Sequence, residues 1–416
     1  MKTAILHYSL PPVVGGVEAV IHAHTALLLN AGYPVRLIAG AGNKVALPDG
    51  AEFIQVPEMD SRNPKVIEVG KQLEVGKIPA EFEILSATLE KHLEVVLQTV
   101  DSVMVHNVFT KHFNLPLTAA LIRLLDKGKI RNCIAWCHDF TWTSPHSRSR
   151  VHHGYPWDLL RTYRERVTYV TVSRHRQEEL AELFHCPTER VHVIYDGVNP
   201  VELYSLSEEG QALIDRLDLM EADLILLMPV RITQAKNIEY ALQVIAGLKD
   251  RGIRPKLVIS GPPDPHDPGD MRYYQNLLDL RRQLHVEQEA RFVYESGPQP
   301  GEGYIIGLPM VRELYRISDI LFMPSHREGF GMPILEAGMI GMPIFSTEIP
   351  ATEEIGGQEV TRFSLEDPAT EVAGVILSWA QTSSIQGLRQ RIRQNFTWKA
   401  IFHHNILPLL TGREAA

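Results

Sequence analysis

The sequence predicts an α/β chain built from two doubly wound, parallel-sheet domains, and three observations carry that prediction. Short apolar runs alternate with helical patterns through both halves, the signature of parallel strands wrapped by helices. At 416 residues the chain exceeds what one core ordinarily holds, so two domains are expected. A mixed polar stretch without strand pattern, DGVNPVELYSLSEEGQALIDRLDLMEAD, separates two sets of strand candidates and places the junction near residues 198–220.

In the first half the strand candidates are TAILHYS, VRLIAG, SVMVHN, NCIAWCH, VTYVTVS and VHVIY; in the second they are LILLMPV, KLVISG, RFVYES, DILFMPS and MPIFST. Two such domains facing each other leave a cleft outside the carboxyl ends of both sheets, the edge where doubly wound folds bind ligands. Nearly every unusual residue cluster of this chain falls at such an edge.

Taken in order, the first strand runs into LPPVVGGVEAV. Gly15 and Gly16 permit positive φ and close backbone approach, and Val17 begins an amphipathic helix. The loop could slide under a phosphate or an acceptor; a plain tight turn accounts for it equally well. It is not G-x-G-x-x-G, so a nicotinamide-type fingerprint is absent. SVMVHN closes on His106 and Asn107, and NCIAWCH closes on His138, followed by Asp139. A histidine at that edge can donate a hydrogen bond to a reacting sugar or shuttle a proton, and its ordinary pKa suits either role. A satisfied structural histidine is the commoner finding. Cys133 and Cys137 share a strand face and read as buried thiols; with Cys186 they are too few and scattered for a disulfide framework or a zinc site. Ser173 reads as a helix N-cap, and Asp196 with Gly197 as a turn. From Arg148 to Arg176 seven arginines stand against Asp158 and Glu165. Such a face could meet an anionic acceptor or lipid headgroups, although solvated helix faces are the commoner reading.

In the second half LLMPVRITQAKNIEYAL carries a strand into Arg231 and sets Lys236 just before a helix near Asn237. Two cations beside a helix amino terminus make a site for a diphosphate without a metal; two ordinary surface charges fit the same residues. REGFGMPILE then places Glu328 and Glu336 eight positions apart across a glycine-rich turn. Glu328 is expected at a strand's carboxyl end and Glu336 on the following helix, whose first turn holds Pro333. Backbone N–H groups of that helix start can receive anionic oxygens, so the acids grip something neutral beside an anion. Sugar hydroxyls next to a phosphate fit. The acidic PPDPHDPGD reads as a surface loop, its prolines forbidding a regular cation cage.

The formal net charge of −9 argues against a general nucleic-acid binder. MKTAILHYSL lacks the apolar core and cleavage site of a signal peptide, and no apolar run approaches membrane-spanning length. The expected location is the cytoplasm, with peripheral contact at the inner face of the membrane left open.

These residues together resemble a known family. HREGFGMPILEAGMIGMPIFSTEIPATEEI resembles the E-x7-E region of the retaining GT-B glycosyltransferases of family four, the glycosyl transferases group 1 type. VRITQAKNIEYAL resembles their R-x4-K phosphate clamp, PPVVGGVEAV their first glycine loop, DGVN the segment before the interdomain linker, and FTWKAIFHHNILPLL the helix that returns to the N-terminal domain. The resemblance implies two Rossmann-like domains facing across a cleft: an acceptor domain, 1–205, completed by helix 398–412, and a nucleotide-sugar domain, 206–397. It implies transfer of a hexose, with retention, from a UDP- or GDP-linked donor to a carbohydrate, small-molecule or lipid-linked hydroxyl acceptor, with no metal and no further cofactor.

Carried across by position, Glu328 would hold hydroxyls of the donor hexose and Glu336 the ribose. Arg231 and Lys236 would neutralise the departing diphosphate, assisted by the backbone of Gly329, Phe330, Gly331, Met332, Pro333, Ile334 and Leu335. Gly15 and Gly16 would lie under the phosphates and acceptor, and His138 would contact the donor sugar near its primary hydroxyl and help stabilise an oxocarbenium-like transition state. Pro229 departs from the glycine usual before the clamp arginine, and Gly338 to Gly341 from the commoner Ala-Cys-Gly run; both bear on donor choice more than on reaction type. A GT-B phosphorylase or epimerase would use the same cleft. A binding protein that had lost turnover is the non-enzyme alternative, and the presence of Glu328, Arg231, Lys236 and His138 speaks against it.

Overall fold

The computed structural model describes residues 1–263 and 268–411. They divide into two compact units, Met1–Gly197 together with the residues from Trp398 onward, and Val198–Thr397.

The first unit holds seven strands: β1 Thr3–Ser9, β2 Val35–Ala41, β3 Glu52–Gln55, β4 Ser102–His106, β5 Cys133–Cys137, β6 Val167–Thr171 and β7 Val191–Val193. They pair in the order β3-β2-β1-β4-β5-β6-β7, every pair parallel, with Leu6 opposite Ile38 on one side and Val105 on the other. Both faces are covered, which is why β1, β4 and β5 are apolar and buried along almost their whole length. One face packs under residues of the helices between Pro64 and Asp126. The other takes Ile21 and Leu28 from helix Gly16–Asn30 together with Ile401, Phe402, Ile406 and Leu410 from the chain's return.

The second unit holds β8 Leu224–Met228, β9 Pro255–Ile259, β10 Ala290–Phe292, β11 Ile320–Met323, β12 Ile344–Thr347 and β13 Thr361–Phe363, in the order β10-β9-β8-β11-β12-β13, again all parallel. The buried carboxylate of Asp319 ties the sheet to helix Ser384–Asn395: it accepts from Ile225 N–H at 2.8 Å and from Arg393 Nη2 at 2.6 Å. The unit's two ends meet, since Val198 forms a bridge with Thr397 and donates its N–H to the Phe396 carbonyl at 2.8 Å.

Two Rossmann-like α/β sheets are thus present, as the strand pattern predicts, with differences at their margins. Strands β3 and β13 have no counterpart among the sequence candidates: EFIQ and TRF are short edge strands with exposed or half-exposed positions, so neither shows an apolar run. Strands also end earlier than expected. β8 stops at Met228, three residues before Arg231, and β11 stops at Met323, so Glu328 lies in a loop beyond the strand end. Of the acidic stretch 262–270, residues 264–267 fall outside the described residues. Among the described residues no helix is long and apolar enough to cross a membrane.

In each sheet the strand order reverses at the first strand. β1 lies between β2 and β4, and β8 between β9 and β11. Doubly wound sheets bind ligands outside the carboxyl ends of their strands at such a reversal, and the candidate residues lie there.

Candidate functional site

In the second unit the β8 strand leads through Arg231 into a 3-10 turn, Gln234–Lys236, and then helix Ile238–Lys249. The turn is stitched to the loop after β11, because His326 N–H donates to the Ala235 carbonyl at 2.9 Å. That contact brings Lys236 onto Glu328. Its Nζ donates to both Oε1 and Oε2 at 2.7 Å, and Ser325 Oγ donates to Oε1 at 2.6 Å. The Glu328 side chain is only 8% exposed and that of Lys236 20%, so the pair is screened from bulk water on most sides.

Beyond Glu328 the chain turns at Gly331, whose φ of 91° is left-handed and suits glycine, and enters helix Met332–Met339 with Pro333 in its first turn. Among the described residues none accepts a hydrogen bond from the backbone N–H of Gly329, Phe330, Gly331 or Met332. These amides surround the helix amino terminus, where partial positive charge gathers. A shallow hollow beside them is lined by His326–Phe330 and Ile349–Ala351. Glu336 sits one turn into the helix and accepts from the buried Tyr315 hydroxyl at 2.6 Å. Arg231 is exposed beside the turn, with its loop held to the β9 end through Ile232 N–H and the Pro262 carbonyl at 3.0 Å.

The first unit gathers a second set of residues at the ends of β1, β4 and β5. His7, His24, His106 and His138 are all buried. His7 Nδ1 lies 2.9 Å from the His106 carbonyl, so that nitrogen carries the proton and donates. His106 Nδ1 and His138 Nε2 are 3.1 Å apart, one donating to the other. His24 packs edge-on against Trp136 and Trp398. Burial, helped by the neighbouring His7, pushes His138 down to about 3 and holds His106 well below the usual range. Both rings are therefore neutral near pH 7. Proton shuttling by His138 at ordinary pKa, which the sequence allows, does not survive its burial; a hydrogen-bonding imidazole does. Asn107, at φ 61°, accepts from the N–H groups of both His138 and Asp139, at 2.8 and 3.2 Å, and so fixes the loop that carries them.

The glycine loop differs from its expectation. Gly15 has an extended φ of −165° and Gly16 opens the helix, so neither uses positive φ. Gly15 answers a steric demand: a Cβ there would come 2.2 Å from Oε2 of Glu18. Glu18 is buried, accepts from Ser9 Oγ at 2.8 Å and lies 4.0 Å from His7 Nε2. Gly16 has open space around it.

The comparisons with known proteins match the chain in two segments. Residues 211–397 match the family described as Glycosyl transferases group 1, and residues 14–202 match Glycosyltransferase Family 4. The chain belongs to the group 1 glycosyltransferases. An uncharacterized glycosyltransferase of Methanocaldococcus jannaschii is 33% identical over 205 residues, 49% of this chain and 47% of the relative. A mannosylglucosylglycerate synthase of Petrotoga mobilis is 25% identical over 61% of each chain, and a D-inositol 3-phosphate glycosyltransferase of Saccharomonospora viridis 25% identical over 53% of this chain and 50% of its own. The chain spans about half the length of the curated relatives it matches. Among solved structures, WaaG, a glycosyltransferase involved in lipopolysaccharide biosynthesis, aligns over 99% of this chain and 98% of its own at 16% identity with a TM-score of 0.33.

In this glycosyltransferase the arginine-rich stretch is largely engaged internally. Arg148 and Arg161 both lie over the Trp142 ring, at 4.4 and 4.1 Å, Arg161 pairs with Asp158 at 2.8 Å, and Arg164 with Asp126 at 3.6 Å. Ser173 caps its helix by accepting from Arg176 N–H at 3.2 Å. Cys133 and Cys137 are buried on one face of β5, and burial pushes the Cys133 thiol up to about 12, out of reach of thiolate chemistry. Sequence reading missed Glu18, His7 and Tyr315. Glu18 carries one signal, an acid three positions after Gly15 in the first turn of a helix; Tyr315 carries none.

Proposed function

We propose that this group 1 glycosyltransferase moves a hexose from a nucleoside-diphosphate sugar to a hydroxyl acceptor, with retention and without a metal. The observation that carries the reading is the Lys236–Glu328 pair set beside the unpaired amides of Gly329–Met332 at the β8/β11 reversal. Ammonium and amide N–H groups together suit a diphosphate, and a carboxylate among them suits hydroxyl donors rather than a second anion. Glu328 takes hexose hydroxyls and Glu336, steadied by Tyr315, takes the ribose.

The chemistry follows from charge. As the bond from the anomeric carbon to the phosphate oxygen breaks, its electron pair stays on the diphosphate. Lys236, Arg231 and the amides are already placed to stabilise that growing charge. The acceptor oxygen bonds to the same face of the anomeric carbon, and its proton passes to the departing phosphate. His138, neutral and rigidly held, serves as a hydrogen-bond partner for the sugar and takes no proton.

Release of nucleoside diphosphate from a panel of nucleotide sugars, with and without acceptors, tests this. Steady acceptor-dependent release is expected. Release of sugar phosphate on adding inorganic phosphate would mark a phosphorylase, and near-normal turnover in both Glu328→Gln and Lys236→Ala would end the reading.

A further inference from the structure

Glu328 has two partners, and they differ in whether a ligand can draw them away. The Lys236 ammonium is partly exposed and donates to both carboxylate oxygens. On the transferase reading above, on which this inference rests, it turns to the diphosphate when the donor arrives. Ser325 is different. It is fully buried and uncharged, with its Oγ 2.6 Å from Oε1, so an arriving anion does not compete for it. Among the described residues the groups that donate to this carboxylate are Lys236 and Ser325.

Ser325 is itself held from the neighbouring strand. β11 ends at Met323, which lies opposite Ser346 of β12 in the parallel ladder. One residue further along β12, the buried Thr347 donates its Oγ1 to the Ser325 carbonyl at 2.6 Å. Ser346 Oγ in turn lies 3.0 Å from Oγ1 of Thr352, in helix Pro350–Gly356. Buried hydroxyls thus tie the Glu328 carboxylate to the end of β12, and all of them are out of a ligand's reach.

The consequence concerns geometry. A carboxylate on a long side chain turns unless hydrogen bonds fix it, and that freedom has to be lost before a sugar hydroxyl is held. With Lys236 on the diphosphate, the Ser325 hydroxyl still occupies Oε1 and leaves Oε2 as the acceptor facing the hexose. A binding group fixed beforehand by buried hydrogen bonds loses less freedom when its ligand arrives. We propose that Ser325, backed by Thr347, is a positioning residue, whose hydrogen bond keeps the Glu328 carboxylate aligned for the donor hexose after Lys236 has moved to the diphosphate.

Binding of UDP-glucose, UDP-N-acetylglucosamine and GDP-mannose to the full chain is measured by calorimetry, and the tightest of them is carried through a double-mutant cycle of Ser325→Ala with Glu328→Ala. Ser325→Ala is expected to weaken binding at least about fivefold with Glu328 present and less than about twofold once Glu328→Ala is in place, because the hydroxyl acts through that carboxylate. Ser325→Cys, a weaker donor of similar size, should fall between Ser325→Ala and the wild type. A merely structural role would instead lower the melting temperature and weaken binding by the same factor in both backgrounds. If Ser325→Ala does not fold, Thr347→Val, which keeps the shape of its side chain, replaces it in the cycle with the same non-additive pattern expected. Equal affinity in the variant and the wild type, or equal losses in the two backgrounds, overturns the proposal and leaves the transferase reading standing. Failure of the transferase reading shows separately, as a wild-type chain that binds none of the three nucleotide sugars, and takes this proposal with it.

Discussion

Lys236 and Glu328, 92 residues apart in the chain, close on each other with both carboxylate oxygens 2.7 Å from one ammonium. Each group is therefore neutralised by the other before any donor arrives. On the proposed reading, a diphosphate competing for Lys236 and hexose hydroxyls competing for Glu328 would share this contact, which would couple the two halves of donor recognition.

Lys236→Ala is expected to lower transfer by more than about 100-fold and to destabilise the second unit by about 1–3 kcal/mol, because Glu328 is left buried with Ser325 alone. The double variant Lys236→Met with Glu328→Gln should recover most of that stability and none of the activity. Urea unfolding beside a turnover assay separates the two effects.

Tyr315→Phe removes the hydroxyl that donates to Glu336. The loss should appear in nucleotide binding, as about 1 kcal/mol or several-fold in Kd by calorimetry, with little change in melting temperature. Equal affinity in the variant would show that Glu336 needs no such support.

The two glycines of the turn should respond differently. Gly331→Ala forces a side chain into a left-handed conformation and should cost about 1–2 kcal/mol. Gly329→Ala meets nothing within 4 Å and should cost much less. Denaturant midpoints of the two variants give the comparison directly.

Gly15→Ala should act through Glu18. The new Cβ would displace a carboxylate 2.2 Å away and break its bond with Ser9, at about 1–3 kcal/mol. Once Glu18→Ala is present the same change should be milder, giving a coupling of more than about 0.5 kcal/mol in a double-mutant cycle. Strict additivity would show that the loop does not depend on this contact.

Acid should destabilise the first unit. Burial pushes His24 and His138 to about 3 and His112 to about 4, and lowers His7 and His106 as well, from an ordinary 6.5. Below about 6.5 the unfolded chain binds more protons than the folded one, so stability falls as pH falls. Each deeply buried ring contributes up to about 1.4 kcal/mol per pH unit. A urea midpoint that does not move between pH 7.5 and pH 5 would contradict this.

For the strands, one physical signal makes the sequence legible. Parallel strands covered on both faces must be continuous apolar runs, so β1, β4, β5, β8 and β11 stood out, whereas the partly exposed edge strands EFIQ and TRF did not. The loops after β8 and β11 were legible through charge and glycine placed at strand ends. Contacts between distant segments were not. Nothing near Lys236 in the chain points to Glu328, nothing in α-helical spacing marks Tyr315 as the partner of Glu336, and His138 reads as an ordinary histidine until its burial against His106 is seen. Asn107 looked like a strand terminus; its left-handed backbone, which lets one side-chain oxygen hold two successive amides, appears only in three dimensions.

The meeting of Val198 with Thr397 makes the second unit a guest spliced into its host at a single point. On the host side Gly197 and Trp398 are just as near: a Cβ on Gly197 would lie 2.8 Å from the Trp398 nitrogen. The intervening two hundred residues could therefore be excised as one cassette, leaving a polypeptide that needs almost no linker to rejoin. Trimming the final turns of the chain, by contrast, would strip Phe402, Ile406 and Leu410 from the host's interior and spare the guest.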